Sequence, residues 1–334
     1  MAGRIGGGSR KAIVAGSLAL VLAGCQADEL GYGPKHLRQV SSDVKARLDQ
    51  LDMSLSSPIM LRIYKQESEL EVWKQTRSGR YALLDTFEIC KWSGKLGPKK
   101  KEGDRQAPEG FYEITPALMN PNSSYHLAFN LGYPNKFDRA YGRTGSNLMV
   151  HGACSSRGCY AMTDAQVQDI YALARESFKG GQRSFQVQAF PFHMTAENMA
   201  KHRDDENYGF WQMLKRGYDH FEVTKTPPKI DVCEKRYVFD AVPLVEGVPF
   251  RATAKCPAFE VPASVARAVE KKQLKDEAEV TRIAEAAGKS PAQVVLRWHI
   301  QRGDIVFPKS VTPQRIKDNF ALFDDAIHLV GVAR

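Results

Sequence analysis

Alternating apolar and polar positions dominate the chain between residue 58 and about residue 240. Short apolar runs bounded by polar turns predict β-strands, because successive side chains of a strand point to opposite faces. The clearest predicted strands are Ile59–Tyr64, Leu70–Trp73, Tyr81–Ile89, Phe111–Ile114, Leu127–Leu131, Leu148–His151 and Phe185–Phe190. Closely spaced short strands favour a β-sandwich or a partly open barrel over a parallel sheet. The predicted fold class is therefore mainly β with inserted helices, the clearest of which spans Thr163–Phe178.

Helical periodicity replaces this alternation on both sides of the β-rich region. In residues 26–57, apolar side chains recur every three or four positions from Leu37 to Leu51, which predicts one amphipathic helix. Val265–Ala287 is rich in Ala, Glu and Lys, and a second helix is predicted to begin at Pro291, since proline suits a first helical turn. We therefore divide the mature chain into a helical lead-in at 26–57, a β-rich domain at 58–240 and a helical appendage at 257–334.

The first 25 residues have the build of a secretory signal. A basic start precedes the apolar run 12–23, which is shorter than the 20 or so residues that cross about 30 Å of hydrocarbon as a helix. Residues 22–25, Leu-Ala-Gly-Cys, resemble the lipobox of bacterial lipoproteins, which implies cleavage before Cys25 and a lipid on its thiol. Gln26, in place of an aspartate, implies an anchor in the outer membrane that faces the periplasm. The alternative is an ordinary signal peptide with a chance cysteine.

The binding partners that the net charge of the chain favours depend on this compartment. The formal net charge is +9 and the pI about 9.2. In an exported protein, such a balance favours contact with cell-wall polymers or anionic lipid surfaces, and no motif for DNA or RNA binding accompanies it. We expect no nucleic-acid partner; a merely solvated basic surface is the alternative.

The cysteines are six in number: Cys25, Cys90, Cys154, Cys159, Cys233 and Cys256. If Cys25 carries lipid, five remain, so at least one thiol is expected to stay free in an oxidising compartment. None has the paired CxxC spacing of a zinc site, and we predict no metal. Cys233 and Cys256 are candidates for a disulfide, and Cys154 is either a small loop residue or a partner that could quench Cys159.

The candidate chemistry lies between His151 and Cys159, in the segment His-Gly-Ala-Cys-Ser-Ser-Arg-Gly-Cys. A cysteine is a strong nucleophile as its thiolate, and an imidazole nearby can take the thiol proton. Gly158 leaves the backbone beside the sulfur uncrowded, so that N–H groups there could stabilise an oxyanion. The expected reaction is attack of sulfur on a carbonyl, which gives an acyl-enzyme.

These residues resemble the signature of the YkuD family of L,D-transpeptidase catalytic domains, in which His-Gly is followed by Ser-x-Gly-Cys. The Tyr-Ala-Met-Thr-Asp at 160–164 is similar to the YafK-like branch of that family. Supporting segments stand in the expected order at 97–104, 108–112, 130–135 and 143–145. The resemblance covers roughly residues 58–240, and it implies a YkuD-like β-sandwich or partly open barrel.

The resemblance also implies roles for single residues. Cys159 would be the nucleophile and His151 the general base, with Gly152, Ser156 and Gly158 supporting the loop and the oxyanion.

Three further residues are tentative substrate contacts. Arg157 stands where many members carry a second histidine, and it would either pair with a stem-peptide carboxylate or be a solvated loop residue. Tyr133 and Tyr160 would line the substrate groove or pack in the core.

The tail resembles the C-terminus of an aldo-keto reductase. The match includes Gly288–Trp298 and the Lys-Ser-Val-Thr segment at 309–312, which in that family holds a cofactor phosphate together with an arginine, here Arg315. A complete barrel of that type needs about 250 residues, and the preceding chain lacks the family's catalytic set in recognisable form. We therefore expect a helical appendage without NADPH chemistry, and no cofactor.

The leading hypothesis is a cysteine enzyme of the L,D-transpeptidase type that acts on peptidoglycan stem peptides. An amine acceptor would give transfer and water would give hydrolysis, and a wall-linked lipoprotein is a candidate partner. The alternatives are a wall-binding lipoprotein without catalysis and, from the tail alone, an NADPH-dependent oxidoreductase.

Overall fold

The computed structural model describes residues 34–203 and 205–286, together with 292, 293, 296, 300, 308, 310 and 312–321. The predicted signal and Cys25 lie outside these residues, as does most of the stretch that resembles an aldo-keto reductase. No helix among the described residues is long and apolar enough to cross a membrane.

One five-stranded sheet forms the centre of the fold. Its strands are β1 (Ile59–Tyr64), β2 (Glu69–Gln75), β3 (Tyr81–Glu88), β5 (Gly110–Ile114) and β10 (Phe185–Phe190), in the order β3-β2-β1-β10-β5. The β1 strand pairs antiparallel with β2 and parallel with β10. All six residues of β1 are buried, because both faces of this sheet are covered.

A second five-stranded sheet carries the predicted catalytic segment. It has the order β4-β9-β8-β7-β6 and consists of β4 (Lys91–Trp92), β6 (Met119–Asn120), β7 (Ala128–Asn130), β8 (Met149–His151) and β9 (Tyr160–Ala161). Side chains of both sheets and of the helix Asp164–Lys179 meet in one core, with Leu61, Val150 and Ile170 among its fully buried members. The predicted class, mainly β with inserted helices and a helical appendage, is confirmed.

The helices of the described residues are, in chain order, α1 (Ser42–Gln50), α2 (Lys136–Ala140), α3 (Asp164–Lys179), α4 (Ala196–Lys201), α5 (Tyr208–Thr224), α6 (Ala263–Ala286) and α7 (Pro313–Phe320). The predicted helix at Thr163–Phe178 is confirmed as α3, with Thr163 at its N-cap in a capping box with Gln166. The predicted helix at Val265–Ala287 is confirmed as α6.

The helix α5 was absent from the sequence prediction. It buries Trp211, Leu214, Tyr218 and Phe221, which lie three to four residues apart on one face. This face forms a second core against the side of the first sheet that bears Tyr64 and Phe190. Gly217 allows the close approach, because a Cβ there would collide with the rings of Phe111 and Phe239.

The single amphipathic helix predicted for the lead-in was wrong. The segment forms a 3-10 turn at Lys35–Leu37, then an extended stretch, and only then α1. Ser41 accepts a hydrogen bond from Val44 N–H at the start of α1, while its own N–H donates to Asp169 Oδ1 at 2.6 Å. Because the chain is held extended up to this cap, Val44 and Leu48 are buried, whereas Leu37 and Leu51 remain exposed.

Two disulfides cross-link the structure. Cys90, just before β4, is bonded to Cys154 in the loop between β8 and β9. Cys233 and Cys256, the candidates for a disulfide, are bonded to each other. This bond joins the hairpin of β11 (Ile230–Cys233) and β12 (Arg236–Phe239) to the segment between β13 (Val242–Pro243) and β14 (Phe259–Glu260).

The tail helix α6 packs along α5 through ionic contacts. Lys215 of α5 donates to Asp219 at 2.6 Å and to Asp276 of α6 at 2.8 Å. Lys272 of α6 also bonds Asp276 at 2.8 Å and lies 3.6 Å from Asp219. The described start of the appendage is therefore joined to the β-rich domain.

Candidate functional site

Strand pairing brings His151 and Cys159 together. The strands β8 and β9 run parallel, with Val150 opposite Tyr160 and His151 opposite Ala161. Paired residues point to the same face, and side chains alternate along each strand. Cys159 lies one residue before β9 and two residues before Ala161, the partner of His151. It is therefore expected on the same face as His151, on the adjacent chain segment, and neighbouring strands are about 4.8 Å apart.

The Cys159 thiol is half-buried and free. Its sulfur accepts a hydrogen bond from the backbone N–H of Met149 at 3.4 Å and lies 3.7 Å from the carbonyl oxygen of Asn147. Cys159 is the free cysteine among the residues that the structure describes. The alternative of a bond between Cys154 and Cys159 was wrong, because Cys154 is already paired with Cys90.

The loop before Cys159 is organised by Ser156. Its Oγ accepts from the N–H groups of Gly158 at 3.2 Å and Cys159 at 3.1 Å, and it donates to the carbonyl of Cys159 at 2.7 Å. Gly158 adopts φ +127°, in a region that favours glycine. The N–H groups of Gly158 and Cys159, which lie where an oxyanion was expected to be stabilised, therefore point at a hydroxyl here. The oxyanion role stays a prediction, and it requires Ser156 to release or share them.

The imidazole of His151 is buried, and its orientation is set by the adjacent backbone. Nδ1 lies 2.6 Å from the carbonyl oxygen of Gly152. A carbonyl only accepts, so Nδ1 carries the proton, and Nε2 of a neutral ring is left with its lone pair. The ring also packs against Tyr125, with centroids 4.7 Å apart. The side chain is thereby arranged to accept a proton through Nε2.

Burial keeps both candidate catalytic groups neutral. Desolvation is the largest influence on the pKa of His151 and lowers it, although the bond to Gly152 raises it. Desolvation likewise raises the pKa of the Cys159 thiol, against the Met149 N–H and the positive charge of Lys99, which lower it. The resting site therefore holds a thiol beside a neutral imidazole, which can act as a general base when a substrate arrives.

A first prediction concerns the reactivity of this thiol. Because burial disfavours the thiolate, iodoacetamide should alkylate Cys159 more slowly at neutral pH in the folded protein than in the unfolded chain with its disulfides intact. The alkylation rate should rise only at a pH higher than the pH at which alkylation of an ordinary, exposed cysteine rises. Mass spectrometry of the Cys159 peptide between pH 6 and pH 11 measures this profile. Faster alkylation in the folded protein at neutral pH would instead indicate a preformed thiolate.

The loop at 94–110 contributes a buried lysine. Lys99 is only 3 % exposed, bonds Asp104, and donates to the carbonyl of Lys101 at 2.9 Å. Its neighbours Lys100 and Lys101 are exposed. A lysine near the thiol could be found only from the fold, since 60 residues separate the two in the sequence.

The two tyrosines suggested as groove residues lie in the core. Tyr160 is fully buried, and its hydroxyl donates to the carbonyl of Pro108 at 2.6 Å. Tyr133 is 5 % exposed and donates to the carbonyl of Lys99 at 3.1 Å. Their assignment to substrate binding is corrected: both hydroxyls have backbone partners, and the rings fill space between strands and loops. Arg157 is exposed at the loop beside Cys159, and Tyr125 is 43 % exposed beside His151.

Comparison with known proteins gives the same assignment as the site. The family model for the YkuD L,D-transpeptidase catalytic domain matches residues 51–188. The Escherichia coli K12 protein named "Putative L,D-transpeptidase YafK" is 42 % identical over 199 residues, which is 60 % of this chain and 78 % of that protein. Among solved structures, the helical cell shape determining protein Pgp2 of Campylobacter jejuni is similar, with 19 % sequence identity and a TM-score of 0.33. The match covers 56 % of this chain and 79 % of the Pgp2 chain.

The C-terminal region matches a different family. The aldo/keto reductase family model matches residues 224–328. An aldo-keto reductase of Mycolicibacterium smegmatis is 64 % identical over 45 residues, which is 14 % of this chain and 16 % of that protein. The resemblance of the tail is confirmed as a short one, and this chain spans about a sixth of that relative.

The similarity to YafK, by contrast, covers more than three-quarters of the relative's length, and the residues matched by the YkuD family model include both His151 and Cys159. The chain belongs to the YkuD family of L,D-transpeptidases.

Proposed function

We propose that this protein is a peptidoglycan-acting cysteine enzyme that forms an acyl-enzyme on Cys159. One observation carries the proposal: a free, half-buried thiol just before β9 lies on the same face as His151 of the adjacent strand β8, and a carbonyl holds Nδ1 of that histidine, so that Nε2 is available as a base. Membership in the L,D-transpeptidase family supports a donor from the cell wall.

The reaction follows from the neutral pair. Nε2 of His151 takes the Sγ proton as sulfur attacks the donor carbonyl, and a C–S bond forms. The C–N bond then breaks, and the imidazolium gives its proton to the leaving amine. In the second half, Nε2 removes a proton from water or from an acceptor amine as it attacks the thioester carbonyl. The C–S bond then breaks, and the imidazolium returns its proton to Sγ, which restores the thiol. Water gives hydrolysis; an amine gives a new amide.

The donor is proposed to be the peptide stem of peptidoglycan, with a wall-linked lipoprotein as a second candidate substrate. The exposed Arg157 beside the thiol offers a guanidinium that can pair with a stem carboxylate. The formal charge of +9 favours approach to anionic wall polymers. We further propose that the protein acts in the periplasm, lipid-anchored to the outer membrane through Cys25, which follows from the sequence of its first 26 residues.

The test is incubation of the purified full chain with muropeptides and with protein-linked muropeptides, followed by chromatography and intact-mass measurement. We expect a donor fragment added to Cys159, together with loss of the leaving amine. Products with water or with an added amine assign hydrolysis or transfer.

The muropeptide incubation and a separate titration with NADPH distinguish the alternatives. A wall-binding lipoprotein without catalysis would retain muropeptides but give no adduct and no product, which would overturn the proposal. An oxidoreductase would quench or enhance NADPH fluorescence on binding, and we expect no change.

A further inference from the structure

The peptide group between Gly152 and Ala153 is bonded on both sides. Its carbonyl oxygen accepts from Nδ1 of His151 at 2.6 Å. Its N–H, on the other side of the same planar unit, donates to Oδ1 of Asp164 at 2.7 Å. The carboxylate of Asp164 is therefore linked to the imidazole through a single peptide bond.

The backbone around this peptide is shaped for the arrangement. A Cβ on Gly152 would lie 2.5 Å from Asp164 Oδ1 and 2.9 Å from the carbonyl oxygen of Tyr125, so only glycine permits the approach. Ala153 and Cys154 both have positive φ, at +64° and +46°, which non-glycine residues adopt at a cost of about 1 kcal/mol or more each.

Several bonds hold this unfavourable turn. Cys154 N–H donates to the carbonyl of Met162 at 3.1 Å, and its side chain is bonded to Cys90. Gly152 N–H donates to the carbonyl of Tyr125 at 3.0 Å. Asp164 itself stands in the first turn of α3, where the helix dipole favours a negative charge. The carboxylate is therefore held beside the Ala153 N–H.

We propose that Asp164 is a positioning residue for His151 and acts through the Gly152–Ala153 peptide. By accepting from the N–H, it orients the carbonyl that fixes the Nδ1–H tautomer. Its negative charge polarises the peptide, which makes the carbonyl a stronger acceptor and favours the imidazolium that forms during the reaction. The expected effect of Asp164 on turnover rests on the proposed function. Its expected effect on the pKa and tautomer of His151 is independent of that function.

Other groups lie around His151 and Asp164. Tyr125 packs on the ring, and Cys159 lies across on the neighbouring strand. His126 lies 3.9 Å from Asp164 through Nδ1 and 3.2 Å from Gln168 through Nε2. The residues paired with His151 on β7 and β9, Ala128 and Ala161, carry no charge. The positive charge of Lys99 acts on the pKa of Cys159. Asp164 is therefore the residue to replace in order to test the hydrogen-bonded connection between its carboxylate and His151.

The first test is nuclear magnetic resonance of the His151 ring in the full chain, for Asp164→Asn and Asp164→Ala. The amide oxygen of asparagine still accepts from Ala153 N–H but has no charge, so Asp164→Asn should lower the pKa of His151 while the Nδ1–H tautomer persists. Asp164→Ala removes both, so the tautomer should also become mixed. Asp43→Asn is the matched control, an exposed first-turn carboxylate on α1, and should change neither.

The second test is turnover of muropeptides. Loss of a hydrogen bond to a charged acceptor that acts in the reaction should lower kcat about tenfold in Asp164→Ala and less in Asp164→Asn, with KM nearly unchanged. The limb of the pH profile that reports His151 should move to lower pH. If the His151 pKa and tautomer match the wild type in both variants, the inference is wrong. If they shift as expected but the wild type has no turnover, the proposed function fails and the linkage stands.

Discussion

Replacing Cys159 with alanine is expected to lower turnover of muropeptides by at least about a thousandfold, because it removes the sulfur that forms the covalent intermediate. The thiol is the free one among the described residues, and both neighbouring cysteines in the sequence order are in disulfides. Product formation by chromatography and the adduct by intact mass are measured together. Both should disappear, while the folded state should be retained because the side chain is only half-buried.

The control is Ser155→Ala, an exposed residue of the same loop for which no catalytic role is proposed. Its turnover should stay within a factor of about two of the wild type, since surface substitutions away from special features have small effects. If Cys159→Ala still forms product at a rate close to that of Ser155→Ala, the assignment of the nucleophile is wrong.

Replacing Lys65 with methionine is expected to lower the free energy of unfolding by about 3–5 kcal/mol, because it leaves a buried carboxylate without its cation. Lys65 and Glu109 are both fully buried and 2.9 Å apart. Lys65 Nζ also donates to the carbonyls of Lys95 at 2.7 Å and Gly97 at 3.1 Å, and to that of Ala107. The pair therefore attaches the loop at 94–110 to the first sheet.

Glu109 extends the same network to α5. Its Oε1 accepts from Gly97 N–H at 2.7 Å, and its Oε2 accepts from Trp211 Nε1 at 2.9 Å. Desolvation is the largest influence on the pKa of Lys65 and lowers it, although Glu109 raises it. Burial of the pair is thus costly by itself, and Lys65→Met with Glu109→Gln should recover part of the stability lost in Lys65→Met.

Urea denaturation of the single and double variants measures this coupling. Lys136→Met is the control, since Lys136 bonds Asp231 at 3.2 Å with a side chain 62 % exposed, and its loss should change the free energy of unfolding by at most about 1 kcal/mol. A loss for Lys65→Met no larger than that of the control would contradict the role assigned to the buried pair.

Local patterns were sufficient for a large part of the fold. The strands at Ile59–Tyr64 and Phe185–Phe190 and the helix α3 follow from alternation and periodicity within a few residues. The helix α5 was missed although its apolar spacing is regular, and the lead-in helix was predicted too long. In both cases the outcome depends on a partner that is distant in sequence. The helix α5 packs against the side of the first sheet that bears Tyr64 and Phe190, and α1 begins after Ser41, whose N–H donates to Asp169.

By itself, the sequence determined the chemical elements of this protein: a histidine and a cysteine eight residues apart and the glycines between them. These follow from residue type and short spacing. The tertiary structure decided which cysteine stays free, because Cys90 and Cys154 are 64 residues apart. It also decided that Tyr160 and Lys99 are buried, that His151 and Cys159 are both neutral, and that Asp164 reaches the histidine through one peptide. Desolvation and hydrogen bonding depend on which distant segments pack together, and no local pattern records that.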